Sequence, residues 1–297
     1  MSQTTRTHEP TSAPGARTTV DDAPTTPVAV QRRQPQGRML KILPWIVTPS
    51  LVILIIVAWQ LYVTLGDVNP FVFPPPAAVG QAFVVLVTDP ATWAELGITV
   101  SEILIGFAVA VILGVVVGVV LGKLPWLELS IRPLIVISQV APKVAFIPLF
   151  VIWFGFGMTS KIVLAALLAF FPVMLNVLLG VRSVEQGQRE VMSSLNASRA
   201  QTFTQLELRS LQPYLFAGME VGIVLATTGA IVGEYLGGSE GLGAMVVRAM
   251  NSLDAARTFA LILLLALIGL VLYLIVNEAK RFFIPWHESV YGLRSET

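Results

Sequence analysis

Six long apolar runs, at 42–66, 97–122, 133–158, 162–181, 213–238 and 259–277, dominate the sequence. The hydrocarbon core of a bilayer, about 30 Å thick, is crossed by roughly 20 apolar residues in a helix. Each run therefore predicts a transmembrane helix, and the chain reads as an all-α, polytopic membrane protein with six spans. With 55% hydrophobic and only 12% charged residues, the composition is not that of a soluble domain. The third run contains Pro142 and Pro148 and ends at Gly155 and Gly157. A break or kink is expected there, of a kind membrane helices tolerate when neighbours satisfy the freed backbone groups.

Basic residues set the expected orientation, because segments rich in Lys and Arg stay on the cytoplasmic side. With both termini inside, fifteen of the 19 basic residues are cytoplasmic, while Lys161, Arg248 and Arg257 are external and Lys143 lies within the third run. Residues 1–37, rich in Thr, Pro, Ser and Ala without an apolar stretch, read as a disordered cytoplasmic tail. Residues 38–284 form the membrane domain, and 285–297 a second cytoplasmic tail.

Several kinds of chemistry are excluded. There is no cysteine, and the two histidines, His8 and His287, lie outside the apolar runs, so neither a metal site nor His-based catalysis is expected. A net charge of +1 with no basic patch argues against nucleic acid. The stretch from Gly118 to Lys123 fails as a phosphate loop, because three residues separate its glycines and Leu124 stands where a hydroxyl should hold magnesium. No ATP hydrolysis and no cofactor are expected of this chain.

Polar residues inside the runs are candidates for a translocation path or gate, although interhelical bonding is the commoner use of such groups. They are Gln139, Lys143, Asn176, Glu220, Thr227, Thr228 and Glu234, with Gly241 and Gly243 just beyond the fifth run. Lys143 and Glu220 lie at similar depths, which allows them to pair. Glu102 and Glu234 fall near the outer ends of their runs, where water is expected to be close. Glycines recur every fourth residue at Gly114, Gly118 and Gly122 and again at Gly229, Gly233 and Gly237. This spacing lets helices approach closely, either within one bundle or at a dimer seam.

The fourth and fifth runs are separated by a polar segment of about thirty residues, long enough to hold structure of its own. Ser198-Arg199-Ala200-Gln201 fits a capping box. Val191, Met192 and Leu195 share one helical face before it, and Phe203, Leu206 and Leu208 form a looser stripe after it. Asn196, which tolerates the left-handed conformation, marks a turn between two short helices. Such a pair is a surface-lying helix, a solvated connector, or an element that docks into a groove on a partner.

The segment from Glu190 to Gly218, EVMSSLNASRAQTFTQLELRSLQPYLFAG, resembles the EAA loop of binding-protein-dependent ABC importer permeases. PKVAFIPLFVIWFGFGMTSKI from Pro142, FFPVMLNVLLGVRSV from Phe170 and GEYLGGSEGLG from Gly233 resemble segments of the nitrate, sulfonate and taurine permease group. The likeness runs from about Ile42 to Arg281. Three positions depart from the family pattern. Asn196 replaces a glycine, Arg209 replaces the proline of the first leucine–proline pair, and Glu102 stands where an arginine is common. Glu102 and SQVAPKVA, from Ser138 to Ala145, align with a branch that includes permeases for thiamine-precursor pyrimidines, riboflavin and aromatic carboxylates.

The resemblance implies a permease subunit in the inner membrane, docked through its loop to separate ABC ATPase subunits that bind the ATP. The loop residues concerned are Glu190, Val191, Met192, Asn196, Ala197, Ser198, Phe203, Leu206, Leu208 and Pro213. It further implies an external substrate-binding protein, a second permease copy, identical or similar, and a small organic solute. A heteroaromatic or aromatic solute is expected first, a sulfonate, nitrate or taurine next. The rival reading is a proton-coupled secondary transporter with Glu102 and Lys143 as relay groups.

Overall fold

The computed structural model describes residues 38–285; the tails expected at 1–37 and after Pro285 lie outside this range. All regular elements among the described residues are helical. They are α1 (Arg38–Leu65), α2 (Pro76–Thr88), α3 (Pro90–Lys123), α4 (Pro125–Val140), α5 (Ile147–Phe154), α6 (Met158–Arg182), α7 (Gln186–Ser194), α8 (Arg199–Gln201), α9 (Leu208–Gly237), α10 (Leu242–Asn251) and α11 (Ala255–Phe283). Five helical stretches are long and apolar enough to cross a membrane, and α4 with α5 makes a sixth if that bent pair is counted as one span. The pair bends by 84° at Ala141–Pro142, where proline removes a backbone donor and disfavours helix in the residue before it.

Local chemistry sets the helix ends. Asp89 caps α3 by accepting from the Ala91 N–H at 3.0 Å, with Pro90 in the first turn. Asp254 caps α11 in the same way, accepting from the Arg257 N–H at 3.0 Å. The short helices α2 and α10 were not expected from the sequence, since neither is long enough to be a span. They bury Val79 and Leu86 of α2 and Leu242, Met245 and Val246 of α10 against Leu261, Leu264 and Leu265 of α11.

The centre of the bundle is α6, flanked along its length by α3 and α9. The glycine series is what lets these backbones meet. A Cβ on Gly114 would lie 2.8 Å from Val173 Cγ1, one on Gly118 2.7 Å from the Met174 carbonyl oxygen, and one on Gly229 2.7 Å from Ala165 Cα. Both series thus pack within one bundle. Ile103, Phe107, Ala169, Ile223 and Ala230 fill the space between the three helices.

Candidate functional site

At one end of the bundle, α7 and the start of α9 form a compact joint. The α7 helix closes in a Schellman turn: the Ala197 N–H donates to the Met192 carbonyl at 3.0 Å and the Asn196 N–H to Ser193 at 2.9 Å. Asn196 takes φ 52°, the left-handed conformation expected of it. The capping box forms as predicted, with Ser198 Oγ accepting from the Gln201 N–H at 3.3 Å and Gln201 Oε1 accepting from the Ser198 N–H at 2.8 Å. The second short helix expected after it is not separate. The chain continues through a π-helical stretch, Thr202–Glu207, into α9, so that Arg199–Gly237 is one long helix with Arg209 and Pro213 inside it.

Besides its continuity with α9, ion pairs tie this joint to the bundle. Lys123, in the last turn of α3, pairs with Glu207 at 3.1 Å and lies 4.6 Å from the centre of the Phe203 ring. Arg189 of α7 reaches Glu207 at 3.7 Å. The apolar side of α7 stays open, with Val191 59% and Leu195 71% exposed. Glu190 is exposed and accepts from Gln186 Nε2 at 3.0 Å. Met192, Ala197 and Leu206 are half-buried, and Leu208 is exposed.

The opposite end holds a buried polar cluster. Glu234 of α9 accepts from the Thr99 hydroxyl at 2.6 Å and from the Gly243 N–H at 2.6 Å. Thr99 in turn accepts from the Leu242 N–H at 2.8 Å, and Glu95 accepts from the Gly241 N–H and from Arg248 at 2.8 Å. Three side chains from α3 and α9 therefore cap the N-terminus of α10, where free N–H groups and the helix dipole favour negative charge. Lys161 Nζ lies 2.9 Å from Glu102 Oε1 and donates to the Glu240 carbonyl at 3.2 Å.

This geometry corrects two expectations. Glu102 and Glu234 are not near water: both are fully buried, Glu102 against Lys161 of α6 and Glu234 beneath the start of α10. Lys161, counted among the external basic residues, is a buried member of the cluster. Lys143 and Glu220 do not pair. Lys143 donates to the Gln139 carbonyl at 3.2 Å and rests 5.0 Å from the centre of the Phe171 ring, whereas Glu220 meets Lys280 of α11 at 3.1 Å. Depth along the span placed these residues, but the 84° bend and the facing of each helix decide who meets whom.

Of the other path candidates, Glu234, Gly241 and Gly243 come together, as do Gln139 and Lys143. Thr227 and Thr228 line a groove of ≈ 500 Å³ between α9 and α11 that also holds Tyr235 and Tyr273. Their hydroxyls donate to carbonyls one turn back, at 2.8 and 2.9 Å. Asn176 donates to the Pro172 carbonyl at 2.9 Å and packs beside Gly218. Glu95 and Thr99 were overlooked, although Glu95, Thr99 and Glu102 recur at helical spacing and mark one polar stripe on α3.

Residues 110–285, from within α3 to the end of α11, match the family of binding-protein-dependent transport system inner membrane components. The chain belongs to this family. It is a multi-pass inner-membrane permease of the ABC importer class. Among its relatives, the riboflavin transport system permease protein of Chloroflexus aurantiacus is 37% identical over 88% of this chain and 98% of its own length. The formylaminopyrimidine transport permease protein of Halalkalibacterium halodurans is 30% identical over 80% of this chain and 94% of its own. The taurine transport system permease protein of Escherichia coli is 32% identical over 80% and 88%. The family match spans the α7–α9 joint and the α6, α9 and α10 members of the polar cluster, while Glu95, Thr99 and Glu102 precede it.

Proposed function

We propose that this permease carries a small planar heteroaromatic or aromatic solute inward and is driven by a separate ATPase docked on α7 and the start of α9. The observation that carries the coupling part is the joint itself. An apolar helix face is left open on an element whose turn is locked at both ends and whose continuation is a membrane-spanning helix. A partner that seats on Val191 and Leu195 and moves them displaces α9 as a lever, which biases the bundle between two arrangements. The basic-residue asymmetry supports a cytoplasmic side for this joint. ATP binds to the partner, and an external binding protein delivers solute to the α10 end.

The groove between α9 and α11, with two threonines and two tyrosines on otherwise apolar walls, suits transit of a flat solute bearing a few polar groups. A second permease copy facing it would close the path. The names of the riboflavin and formylaminopyrimidine relatives support the aromatic class, and the taurine relative makes sulfonates the next class to test. A proton-driven carrier gains nothing from the geometry, since Glu102 is held by Lys161 while Lys143 sits on Phe171.

The substrate test is uptake by cells with and without the gene, offered labelled riboflavin, a labelled aminopyrimidine and labelled taurine. Gene-dependent uptake of a ring compound is expected. Gene-dependent uptake of taurine alone would overturn the aromatic assignment and leave the importer intact.

A further inference from the structure

The cleft between α4 and α6, at the same end as the α7–α9 joint, has the shape and charge of a lipid site. Its mouth holds three charged side chains. Glu128, in the first turn of α4 and itself 8% exposed, lies between Arg132 Nε at 3.7 Å and Arg182 Nη2 at 3.4 Å. Both distances are long for a charge-assisted bond, which closes at about 2.7–2.9 Å. Each arginine brings one nitrogen to Glu128 and keeps further donors of its five N–H groups. Two guanidiniums around one carboxylate leave the mouth with a net positive charge, and Arg132 and Arg182 remain 68% and 39% exposed.

The cleft, mouth included, encloses ≈ 340 Å³, and Val136 of α4 and Leu175 and Leu179 of α6 contribute to its apolar walls. Arg132 to Gln139 on α4, and Arg182 back to Leu175 on α6, each cover seven residues, or about 10 Å of helix. That is about two thirds of one leaflet of a hydrocarbon core of about 30 Å. A free inorganic anion has no use for such a wall, and a solute in transit would meet the guanidiniums only at the edge of the membrane.

We propose that this cleft binds an anionic phospholipid, with its phosphate at Arg132 and Arg182 and one acyl chain along Val136, Leu175 and Leu179. A basic pocket between membrane helices is a recognised form of headgroup site. The site is distinct from the α9–α11 groove, with which it shares no lining residue. It would make the seating of α4, the arm that bends by 84° into α5, depend on the lipid beside it.

The test is native mass spectrometry of the intact permease released from nanodiscs of phosphatidylglycerol and phosphatidylcholine in equal parts, counting the lipid that stays bound. Retained phosphatidylglycerol should exceed phosphatidylcholine. Arg132→Gln and Arg182→Gln should each lower its retention about five-fold, the equivalent of about 1 kcal/mol per cation at an anionic surface. Leu179→Trp, at a position 57% exposed and taking no part in the ion pairs, should lower it by blocking the chain. Glu128→Gln should raise it by freeing both arginines, an effect that a merely structural ion pair does not produce. Equal retention of the two lipids, or no response to Leu179→Trp, would overturn the proposal. Full displacement by millimolar inorganic phosphate would reassign the site to a free anion, and loss of a permease dimer in Leu179→Trp would reassign it to a seam between copies.

Discussion

Lys161 of α6 and Glu102 of α3 form an ion pair of 2.9 Å in which the two side chains are 3% and 0% exposed. Glu234, also fully buried, is the second acidic neighbour of both. With all three groups ionised the cluster carries one excess negative charge, and the N–H groups of α10 that Glu234 faces help to offset it. The polar end of the bundle thus ties α3, α6, α9 and α10 into one unit.

Removing one partner of such a pair leaves a buried charge without compensation, at a cost of about 3–5 kcal/mol. Lys161→Met should therefore lower the unfolding midpoint in detergent sharply. The double variant Glu102→Leu with Lys161→Met should recover most of the loss, because well-packed apolar groups commonly replace a buried pair at little cost. Equal instability of single and double variants would show that the pair is not the cause.

The α10 cap is tested through Thr99 and Gly241. Thr99→Val removes a bond to a carboxylate and leaves the Leu242 N–H buried without a partner, an expected loss of about 1–3 kcal/mol. Gly241 has φ 97°, and a Cβ there would run into the Glu234 carboxylate, so Gly241→Ala should loosen the same element. Hydrogen exchange at residues 241–243 should rise in both variants while exchange along α6 stays slow.

The glycines divide into two classes by what surrounds them. Gly118→Val forces α3 away from the Met174 backbone and should prevent stable insertion or dimerise poorly folded chains, read as loss of a monodisperse peak in detergent. Gly97, in the same helix, faces open space where a Cβ would lie. Gly97→Ala should be neutral or stabilise by about 0.4–1 kcal/mol.

In the joint, Asn196 already occupies a left-handed conformation that glycine adopts without strain. Asn196→Gly should preserve or raise ATP-driven uptake. Asn196→Val places a β-branched residue, without asparagine's local hydrogen bonding, in a region that costs about 1–2 kcal/mol, and should open the Schellman turn and lower uptake while the chain remains in the membrane.

The apolar runs announced the spans because a bilayer admits few other solutions for them. Pro142 announced the break in the third, and Asn196 with Ser198 announced the turn and cap of the joint, since these act through the local backbone alone. Partners of buried charges were not legible. Glu102 was placed near water, yet α3 begins at Pro90, twelve residues earlier, or about 18 Å of helix. The burial of Glu234 depends on α10, whose ten residues are too few to signal a span. The pairing of Glu220 with Lys280 rather than Lys143 depends on which way each helix faces, which depth along a span does not encode.

The coupling role of α7 is tested most directly by affinity purification of the tagged permease from its native membrane in mild detergent, with mass spectrometry of the proteins that accompany it. The wild-type chain should bring down an ABC ATPase and an exported binding protein. The double variant Val191→Asp with Leu195→Asp, altered only at exposed positions, should remain in the membrane and lose the ATPase. A wild-type chain that recovers no ATPase, or a variant that retains it in full, would contradict the account.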